Sequence, residues 1–367
     1  MDPGTFETAA IYSLMLLDHY MWRGAPASSP LFGPRSALVR RKMARDFPAP
    51  TTAAPLPELP APGLTRERFL DASQNMRHPV VLRGFIRDTG AVRRWNLEYL
   101  KAQIGDTRCL VWGGGPLRWD ELWNRRIPMM EVPFHEFADR MQHEPLYLNN
   151  STELIMASDT LLQDLEVHRI QQQLCHPGAT WQELSTTQLF LGSPHVGSPL
   201  HHAMGGNFFM QIAGRKRWTL INPEHTAALH PVPAHPFQSG FSAHGSVRLG
   251  RGEGSSLNAI YERFPRYEVV LEPGDLLLNT SWWWHEVENL DPVTIGCAVR
   301  HAPPPFEKPA CWDNHPFFTA ISTYPIFRAL VYAHYARQKL TGHDTPLFVY
   351  MNRMISNFYR RGLTRDN

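Results

Sequence analysis

Two stretches decide the fold of this chain: residues 192–216, GSPHVGSPLHHAMGGNFFMQIAGRK, and residues 267–289, YEVVLEPGDLLLNTSWWWHEVEN. Each combines short apolar runs with glycine and proline, which is typical of short strands joined by tight turns. Each also carries a histidine beside a strand-like run, His201 in the first and His285 in the second. Because histidine binds metals and titrates near neutrality, these two positions are candidate site residues.

Similar apolar runs extend outward from these stretches on both sides. They predict strands at 78–85, 146–148, 188–191, 208–212, 217–221, 267–271, 275–278 and 293–299. Many short strands with glycine and proline between them favour a barrel or sandwich. Residues 223–266, which are rich in His, Pro, Gly and Ser, interrupt the series and predict a long irregular loop. Such loops are usually functional lids or disordered, and a lid over the site is the reading that we carry forward.

The flanking segments differ from this β-rich centre. Apolar residues at helical spacing and a basic stretch at 35–45 predict an N-terminal helical extension over 1–45, outside the main fold, with its basic side chains on a solvated face. Residues 46–63 carry six prolines and predict a stiff extended linker. A catalytic domain is then expected over 64–305. The helical pattern of 306–367 predicts a region that caps the barrel or forms a homodimer interface.

Composition excludes several classes of protein. The 367 residues include 36 Lys+Arg and 34 Asp+Glu, so the chain lacks the basic excess of a nucleic-acid-binding protein. The four cysteines lie far apart without a CxxC pair, which predicts neither a zinc knuckle nor a disulfide framework, and so an intracellular, cytoplasmic setting. Asp18 and His19 interrupt the N-terminal apolar stretch, which predicts neither a signal peptide nor a transmembrane segment.

Together the two stretches resemble the metal-binding core of the Jumonji-C cupins, the Fe(II) and 2-oxoglutarate dependent oxygenases, and most closely the asparaginyl hydroxylase that inhibits hypoxia-inducible factor. The resemblance implies a mainly β fold, the double-stranded β-helix or cupin jelly roll, with flanking helices. It also implies Fe(II), 2-oxoglutarate and O2 as cofactors and cosubstrates. The implied iron ligands are His201 and His285, and Lys216, fifteen residues after His201, is implied to pair with the far carboxylate of 2-oxoglutarate. The remaining implied positions are Tyr147, Ser198 and Asn207 near the cosubstrate and Asn149 near the substrate. Near the cosubstrate, Arg300 stands where the family has an asparagine.

Position 203 departs from the family's pattern. On a strand, alternate residues share a face, so His201 and residue 203 point the same way while His202 points to the opposite side. The family has Asp at this position, whereas this chain has Ala203. Iron held by two histidines without the carboxylate has an extra open position, which a chloride or bromide could fill. The same His-x-Ala or His-x-Gly replacement makes room for halide in the Fe(II) and 2-oxoglutarate dependent halogenases, so Ala203 predicts a halide seat by analogy.

Three functions stay open at this point. The first is halogenation of an unactivated C–H bond, which Ala203 favours. The second is hydroxylation of a protein side chain or small molecule, with water or a distant carboxylate completing the iron. The third is a non-catalytic scaffold with the barrel as an interaction platform. The substrate is left open among a small molecule, a lipid chain and a peptide, because it is chosen by loops. His202 and the Trp282–Trp284 run are expected to pack in the core rather than to bind a ligand.

Overall fold

The computed structural model describes residues 3–22, 28–113, 129–175, 187–234, 239–244, 261–300 and 310–341. The strands in these ranges are β1 (Ala54–Pro55), β2 (Glu58–Pro60), β3 (Val80–Arg83), β4 (Arg108–Gly113), β5 (Met129–Pro133), β6 (Leu146–Ser151), β7 (Thr187–Gly192), β8 (Gly197–Ala203), β9 (Asn207–Ala213), β10 (Lys216–Ile221), β11 (Pro231–Ala234), β12 (Ser239–Ser242), β13 (Arg266–Leu271), β14 (Leu276–Asn279), β15 (Trp284–Asn289) and β16 (Thr294–Arg300). The helices are α1 (Pro3–Met21), α2 (Phe32–Asp46), α3 (Arg66–Ala72), α4 (Gly90–Arg94), α5 (Leu97–Ile104), α6 (Phe134–Arg140), α7 (Glu153–Met156), α8 (Asp159–Asp164), α9 (Val167–Leu174), α10 (Ala310–Asn314), α11 (Pro316–Thr323) and α12 (Pro325–Leu340), with a 3-10 turn at Pro223–His225.

The strands form two facing sheets. One has seven strands in the order β1-β13-β10-β15-β8-β12-β11, and the other has nine in the order β2-β3-β14-β9-β16-β7-β6-β4-β5. Their centres are two antiparallel sets of four, β13-β10-β15-β8 and β14-β9-β16-β7. This is the double-stranded β-helix that the sequence predicts, and all eight predicted strands are present within a few residues of their predicted bounds.

An apolar cluster occupies the interior between the two sheets. Alternate residues of each strand point inward, so Phe209, Trp218 and Val287 meet there with Val269 and Leu277. Toward both ends of the strands the inward-facing residues are polar instead. These two polar regions, one at each end of the barrel, form the candidate site. We call them the histidine end, where β8, β14 and β16 stop, and the lysine end, where β10 and β16 begin.

The N-terminal helices α1 and α2 pack on the outer face of the seven-stranded sheet. Ile11 and Val39 join a buried cluster that contains Leu200 and Trp284, which flank the two histidines in sequence. The prediction of a solvated basic face is wrong for Arg35, which is 1% exposed and donates hydrogen bonds to His230 and to the carbonyl of Pro231. An isolated basic stretch does not reveal which of its members faces the sheet.

Residues 46–63 and 223–266 also contribute to the sheets. The proline-rich segment adds β1 to the edge of one sheet and β2 to the edge of the other, both parallel to their neighbours. Within 223–266, the expected irregular loop is partly regular, because β11 and β12 form a hairpin that pairs with β8. Residues 235–238 and 245–260 of this insertion lie outside the described residues.

The C-terminal helices begin against the barrel. Phe318 and Ile321 of α11 are buried with Trp282 and with Met15 of α1, whereas Ile326 of α12 is 70% exposed. Within the predicted helical region 306–367, residues 306–309 and 342–367 lie outside the described residues. Among the helices of the described ranges, none has both the length and the apolar character needed to cross a bilayer.

Candidate active site

His201 and His285 lie side by side on neighbouring strands at the histidine end. They are directly paired in the register of β8 and β15, and their ring centroids are 4.1 Å apart. A register shift between His285 and Val287 marks a local irregularity in this pairing. The two imidazoles, 84 residues apart in sequence, therefore meet on the inner face of one sheet.

Backbone carbonyls fix the tautomer of both rings. His201 Nδ1 lies 2.7 Å from the carbonyl oxygen of Pro199, and His285 Nδ1 lies 2.9 Å from that of Trp283. A carbonyl oxygen accepts but cannot donate, so each Nδ1 carries the hydrogen and each Nε2 keeps its lone pair. The side-chain amide nitrogen of Asn279, 3.3 Å from His285 Nε2, donates to that lone pair. This pattern, with Nδ1–H held by an oxygen acceptor, is the one found in metal-ligating histidines.

Burial keeps both rings neutral. It lowers the pKa of His201 to about 4, with a further contribution from the positive charge of Arg300. Burial likewise lowers the pKa of His285 well below its usual value, and the charges of His201 and Arg300 act in the same direction. Near neutral pH both histidines are therefore in the unprotonated form that binds a metal.

Lys216 is a fully buried cation at the lysine end. Its Nζ donates to Asn289 Oδ1 at 2.5 Å, across the β10–β15 register, and to Thr294 Oγ1 at 3.3 Å. Both of these partners are neutral, and burial alone lowers the pKa of Lys216 to about 7. A buried amine with neutral partners and a depressed pKa is suited to receive an anion.

Aromatic and hydroxyl groups complete the surroundings of this amine. Lys216 Nζ lies 5.6 Å from the centroid of the Tyr147 ring, and the Tyr147 hydroxyl is 3.5 Å from Ser198 Oγ. Burial raises the pKa of Tyr147 well above its ordinary value, so the hydroxyl keeps its proton and can donate it to an acceptor. A Cβ on Gly192 would come within 2.7 Å of the Asn289 side-chain nitrogen and 2.8 Å of the Tyr147 ring, so a glycine there leaves room for these side chains.

Three polar residues line up across the other sheet at the histidine end. Asn207 of β9 pairs in register with Asn279 of β14 on one side and with Arg300 of β16 on the other. The side-chain oxygens of Asn207 and Asn279 are buried and have no hydrogen-bond partner among the described residues. Arg300 donates to the carbonyl of Gly205 at 2.8 Å and to Gln188 Oε1 at 3.2 Å. Both ends of the barrel thus offer polar groups that suit a bound ligand.

Ala203 ends β8 two residues beyond His201, where strand alternation gives it the same face. Within the described ranges, no group of three or more His, Cys, Asp or Glu side chains comes together as a metal site. The inward positions of the eight core strands hold no Asp or Glu either. In the described part of the molecule, the histidine pair therefore has no carboxylate beside it.

The pattern of the whole barrel matches a known domain. The Cupin-like domain family matches residues 66–301, which contain all eight core strands and both polar ends. The chain belongs to the Cupin-like domain family. Its strands β7 to β10 and β13 to β16 are the cupin core.

Several curated proteins are similar to this cupin. HSPB1-associated protein 1 homolog of Danio rerio is 38% identical over 108 residues, which cover 29% of this chain and 23% of that protein. Lysine-specific demethylase 8 of Xenopus tropicalis is 24% identical over 272 residues, covering 71% of this chain and 56% of the relative. tRNA wybutosine-synthesizing protein 5 of Mus musculus is 26% identical over 270 residues, covering 67% of this chain and 79% of the relative.

The family match and the long alignments to a demethylase and to a tRNA-modifying protein support the Jumonji-C type of cupin-like oxygenase. The chain spans 23% of the length of the Danio rerio relative, so the alignment covers a minor part of that protein.

The neighbours of the two histidines pack as the sequence predicts. His202 points outward and stacks on Trp284, with ring centroids 4.2 Å apart, and it also contacts Trp282 and Phe318. The three tryptophans of the 282–284 run are buried, and their indole nitrogens donate to Thr319, to the carbonyl of Arg77 and to Thr226. Trp282 and Trp284 pack in the outer clusters behind the histidine pair, whereas Trp283 lies in the cluster between the two sheets.

Several residues of the site were missed by the sequence analysis. Asn289 and Thr294 bind Lys216, Asn279 contacts His285, and the Phe241 ring lies 5.9 Å from that of His201. Asn279, Asn289 and Thr294 are polar residues at the ends of apolar strands, a signal that could have drawn attention to them. Phe241 gave no such signal, because it lies within the segment that was read as an irregular loop.

Proposed function

We propose that this cupin is an Fe(II) and 2-oxoglutarate dependent oxidoreductase in which His201 and His285 hold the iron. The observation that carries this proposal is the pair of adjacent, buried, neutral imidazoles whose Nδ1–H groups are held by backbone carbonyls. Both rings are thereby oriented with Nε2 as the ligand atom. The donor set of two imidazoles fits a divalent transition metal and leaves several coordination positions for exogenous ligands.

Lys216 is proposed to hold the far carboxylate of 2-oxoglutarate. Its neutral partners Asn289 and Thr294 aim the ammonium group without neutralising it, and Tyr147 can donate a hydroxyl hydrogen to the same carboxylate. A charge-assisted contact in a dry pocket fixes one end of the cosubstrate. Asn207 and Ser198, which face the interior from β9 and β8, are proposed to complete its surroundings.

When bound, iron(II) and 2-oxoglutarate supply the chemistry that activates O2 for attack on an unactivated C–H bond, with oxidation of 2-oxoglutarate to succinate and CO2. The chain's own part is to bind, orient and exclude water. The buried rings of Trp282 and Trp284 cover the back of the histidine pair, and the ring of Phe241, on the hairpin, lies against that of His201. Asn149 lies on β6, two residues beyond Tyr147 on the same face, and is proposed to contact the substrate.

For the type of reaction at this site, we propose halogenation. Ala203 removes both the volume and the negative charge of a carboxylate at the position beside His201, and the inward positions of the core strands supply no replacement. A chloride or bromide would restore the missing charge. The relatives do not bear on this point, since their names describe a demethylase and a tRNA-modifying protein.

Hydroxylation is the second candidate, because the hydroxylase that the two stretches most closely resemble modifies a protein. In that case water occupies the position beside Ala203, and the substrate is a protein side chain or a small molecule. A non-catalytic scaffold is the remaining alternative, and it predicts that neither iron nor 2-oxoglutarate binds.

Anaerobic titration of iron(II) and then 2-oxoglutarate into the purified protein, with and without chloride, tests the proposal. We expect a visible metal-to-cosubstrate charge-transfer band that His201→Ala abolishes and that chloride shifts. His195→Ala is the matched control, because His195 lies close in sequence but is 70% exposed and contacts Glu288 instead. A wild-type protein that gives no band would contradict the enzyme and support the scaffold. A band that chloride leaves unchanged would support hydroxylation.

A further inference from the structure

Trp218 places an unused hydrogen-bond donor in the interior of the barrel. Its side chain is 3% exposed, and its indole nitrogen has no hydrogen-bond partner among the described residues. An indole N–H donates but cannot accept, so only a group with a lone pair can satisfy it. A buried donor without a partner destabilises the unliganded protein, and such a donor is expected to be paired when a ligand enters.

Trp218 lies midway between the two polar ends of the barrel. It is on the inner face of β10, two residues after Lys216 and two residues before Leu220, which pairs in register with His285. Because a strand rises about 3.3 Å per residue, Trp218 is about 7 Å along β10 from each of these two positions. A ligand that reaches from the histidine pair to the Lys216 amine therefore passes beside the Trp218 side chain.

The contacts of the indole are apolar or aromatic. Its ring centroid lies 4.9 Å from that of Phe209, edge to face, and 5.7 Å from that of His285, whose ring is nearly parallel to it. Register places Val269 on one side of Trp218 and Val287 on the other. The lone pair of His285 Nε2 already accepts a hydrogen bond from an amide. The indole N–H is therefore left for an acceptor that enters from outside.

The other donors of this interior indicate which kind of acceptor fits. Lys216 Nζ and the Tyr147 ring lie 5.6 Å apart, and the Tyr147 hydroxyl is 3.5 Å from Ser198 Oγ. Ser198 pairs in register with Val287, the residue beside Trp218. A cation, a hydroxyl group and an indole N–H together suit an anion with several lone pairs, and one carboxylate offers about four.

We propose that the indole N–H of Trp218 donates to a carboxylate oxygen of the 2-oxoglutarate that Lys216 holds. The inference rests on the proposed function, because it concerns the same cosubstrate. It assigns ligand binding to a side chain that otherwise belongs only to the apolar cluster between the sheets. Because the N–H is unpaired in the unliganded protein, its hydrogen bond forms only in the complex and contributes directly to the affinity for 2-oxoglutarate.

The indole proton itself reports on the proposed hydrogen bond. In zinc(II)-loaded protein with isotopically labelled tryptophan, the Trp218 indole resonance should move downfield in the NMR spectrum when 2-oxoglutarate is added. The resonance is assigned by its absence in Trp218→Phe or Trp218→Tyr.

Calorimetric titration measures what the hydrogen bond contributes. Trp218→Phe keeps an aromatic ring and removes the N–H, so we expect it to weaken 2-oxoglutarate binding about tenfold while the metal affinity changes less than about threefold. Trp283→Phe is the matched control, because Trp283 belongs to the same apolar cluster but donates to the carbonyl of Arg77. It should leave the affinity for 2-oxoglutarate unchanged.

Two results would overturn the inference while the proposed function stands. One is a Trp218 resonance that stays in place when 2-oxoglutarate binds, which would assign the N–H to trapped water. The other is equal 2-oxoglutarate affinity in wild type and Trp218→Phe. A wild-type protein that binds neither metal nor 2-oxoglutarate would overturn the proposed function and this inference together. The melting temperature of each variant separates a lower affinity from a loss of folding.

Discussion

Lys216 is a buried amine for which protonation is costly in the unliganded protein. The depression of its pKa from 10.5 to about 7 corresponds to a preference for the neutral amine on the order of 5 kcal/mol. Asn289 and Thr294 orient the amine without relieving this cost, since neither is charged. A bound carboxylate would relieve it and raise the pKa again. Cosubstrate binding should therefore be linked to proton uptake.

The affinity for 2-oxoglutarate should depend on pH above neutrality. Below pH 7 Lys216 is already protonated in the unliganded protein, so binding needs no proton. Above pH 7 the amine must take up a proton on binding, and the affinity should fall by up to about tenfold per pH unit. Calorimetric titration between pH 6 and 9, in buffers of different ionisation enthalpy, measures both quantities. Lys216→Met should bind weakly with a flat profile, and a flat profile in the wild type would contradict the role of Lys216.

Ala203→Asp should change the ligand preference of the site. The new carboxylate would lie on the same strand face as His201 and would offset the positive charge of Arg300. We expect tighter iron binding without halide, no response of the charge-transfer band to chloride, and a shift from halogenated product toward hydroxylation or inactivity. Ala203→Ser is the control for side-chain size without charge. A chlorinated product that persists unchanged in Ala203→Asp would refute the halide seat.

At the scale of elements, the β11–β12 hairpin is held between the site and the N-terminal helices. β12 pairs with β8 and places Phe241 opposite His201. Arg35 of α2 reaches the other side of the hairpin, where it donates to His230 Nε2 at 3.1 Å and to the carbonyl of Pro231 at 3.3 Å, and it lies 3.8 Å from Asp18 of α1. The helices therefore position an element that lines the site.

Arg35→Met should loosen this hairpin. The substitution leaves the carboxylate of Asp18 buried without its cation and removes two hydrogen bonds, which predicts a loss of stability of about 3 kcal/mol. Hydrogen exchange should rise in peptides that contain residues 231–234 and 239–242, and iron affinity should fall. Arg40→Met, on the exposed side of the same helix, is the matched control. Faster exchange across the whole barrel, rather than in the hairpin, would show a general loss of folding and contradict the positioning role.

At the scale of the whole molecule, the helical flanks and the barrel share buried surfaces. Ile11, Val39 and Met43 pack with Leu200 and Trp284 in one cluster, directly behind the strands that carry the two histidines. Trp282 joins Phe318 of α11 and Met15 of α1 in a second cluster. The flanking helices therefore cover apolar surface that the barrel would otherwise expose.

Removal of residues 1–46 should destabilise the barrel rather than release an intact domain. The lost side chains bury several apolar groups, each worth about 1.5–3 kcal/mol when fully buried. We expect a melting temperature lower by 10 °C or more, or an aggregated product, in thermal unfolding followed by circular dichroism. A truncated protein that melts like the full chain and binds 2-oxoglutarate with unchanged affinity would contradict this expectation.

The sequence by itself determined much of the local structure. Apolar runs located six of the eight core strands, because the period of a strand can be read from the strand's own residues, whereas β8 and β15, which carry the two histidines, were not among the predicted runs. The same period predicted that His201 and residue 203 share a face and that His202 points outward, as it does against Trp284. The prolines of 46–63 predicted an extended segment, since each proline fixes its own φ.

The tertiary structure decided which strands and side chains meet. The pairing of Lys216 with Asn289, the row of Asn279, Asn207 and Arg300, and the burial of Arg35 against the hairpin all join residues far apart in the chain. Such contacts depend on strand order and register, which the periodicity of one segment does not contain. Ala203 illustrates both levels. The sequence shows which side chain is absent, and the fold shows that the neighbouring strands bring in Arg300 and two amides but no carboxylate.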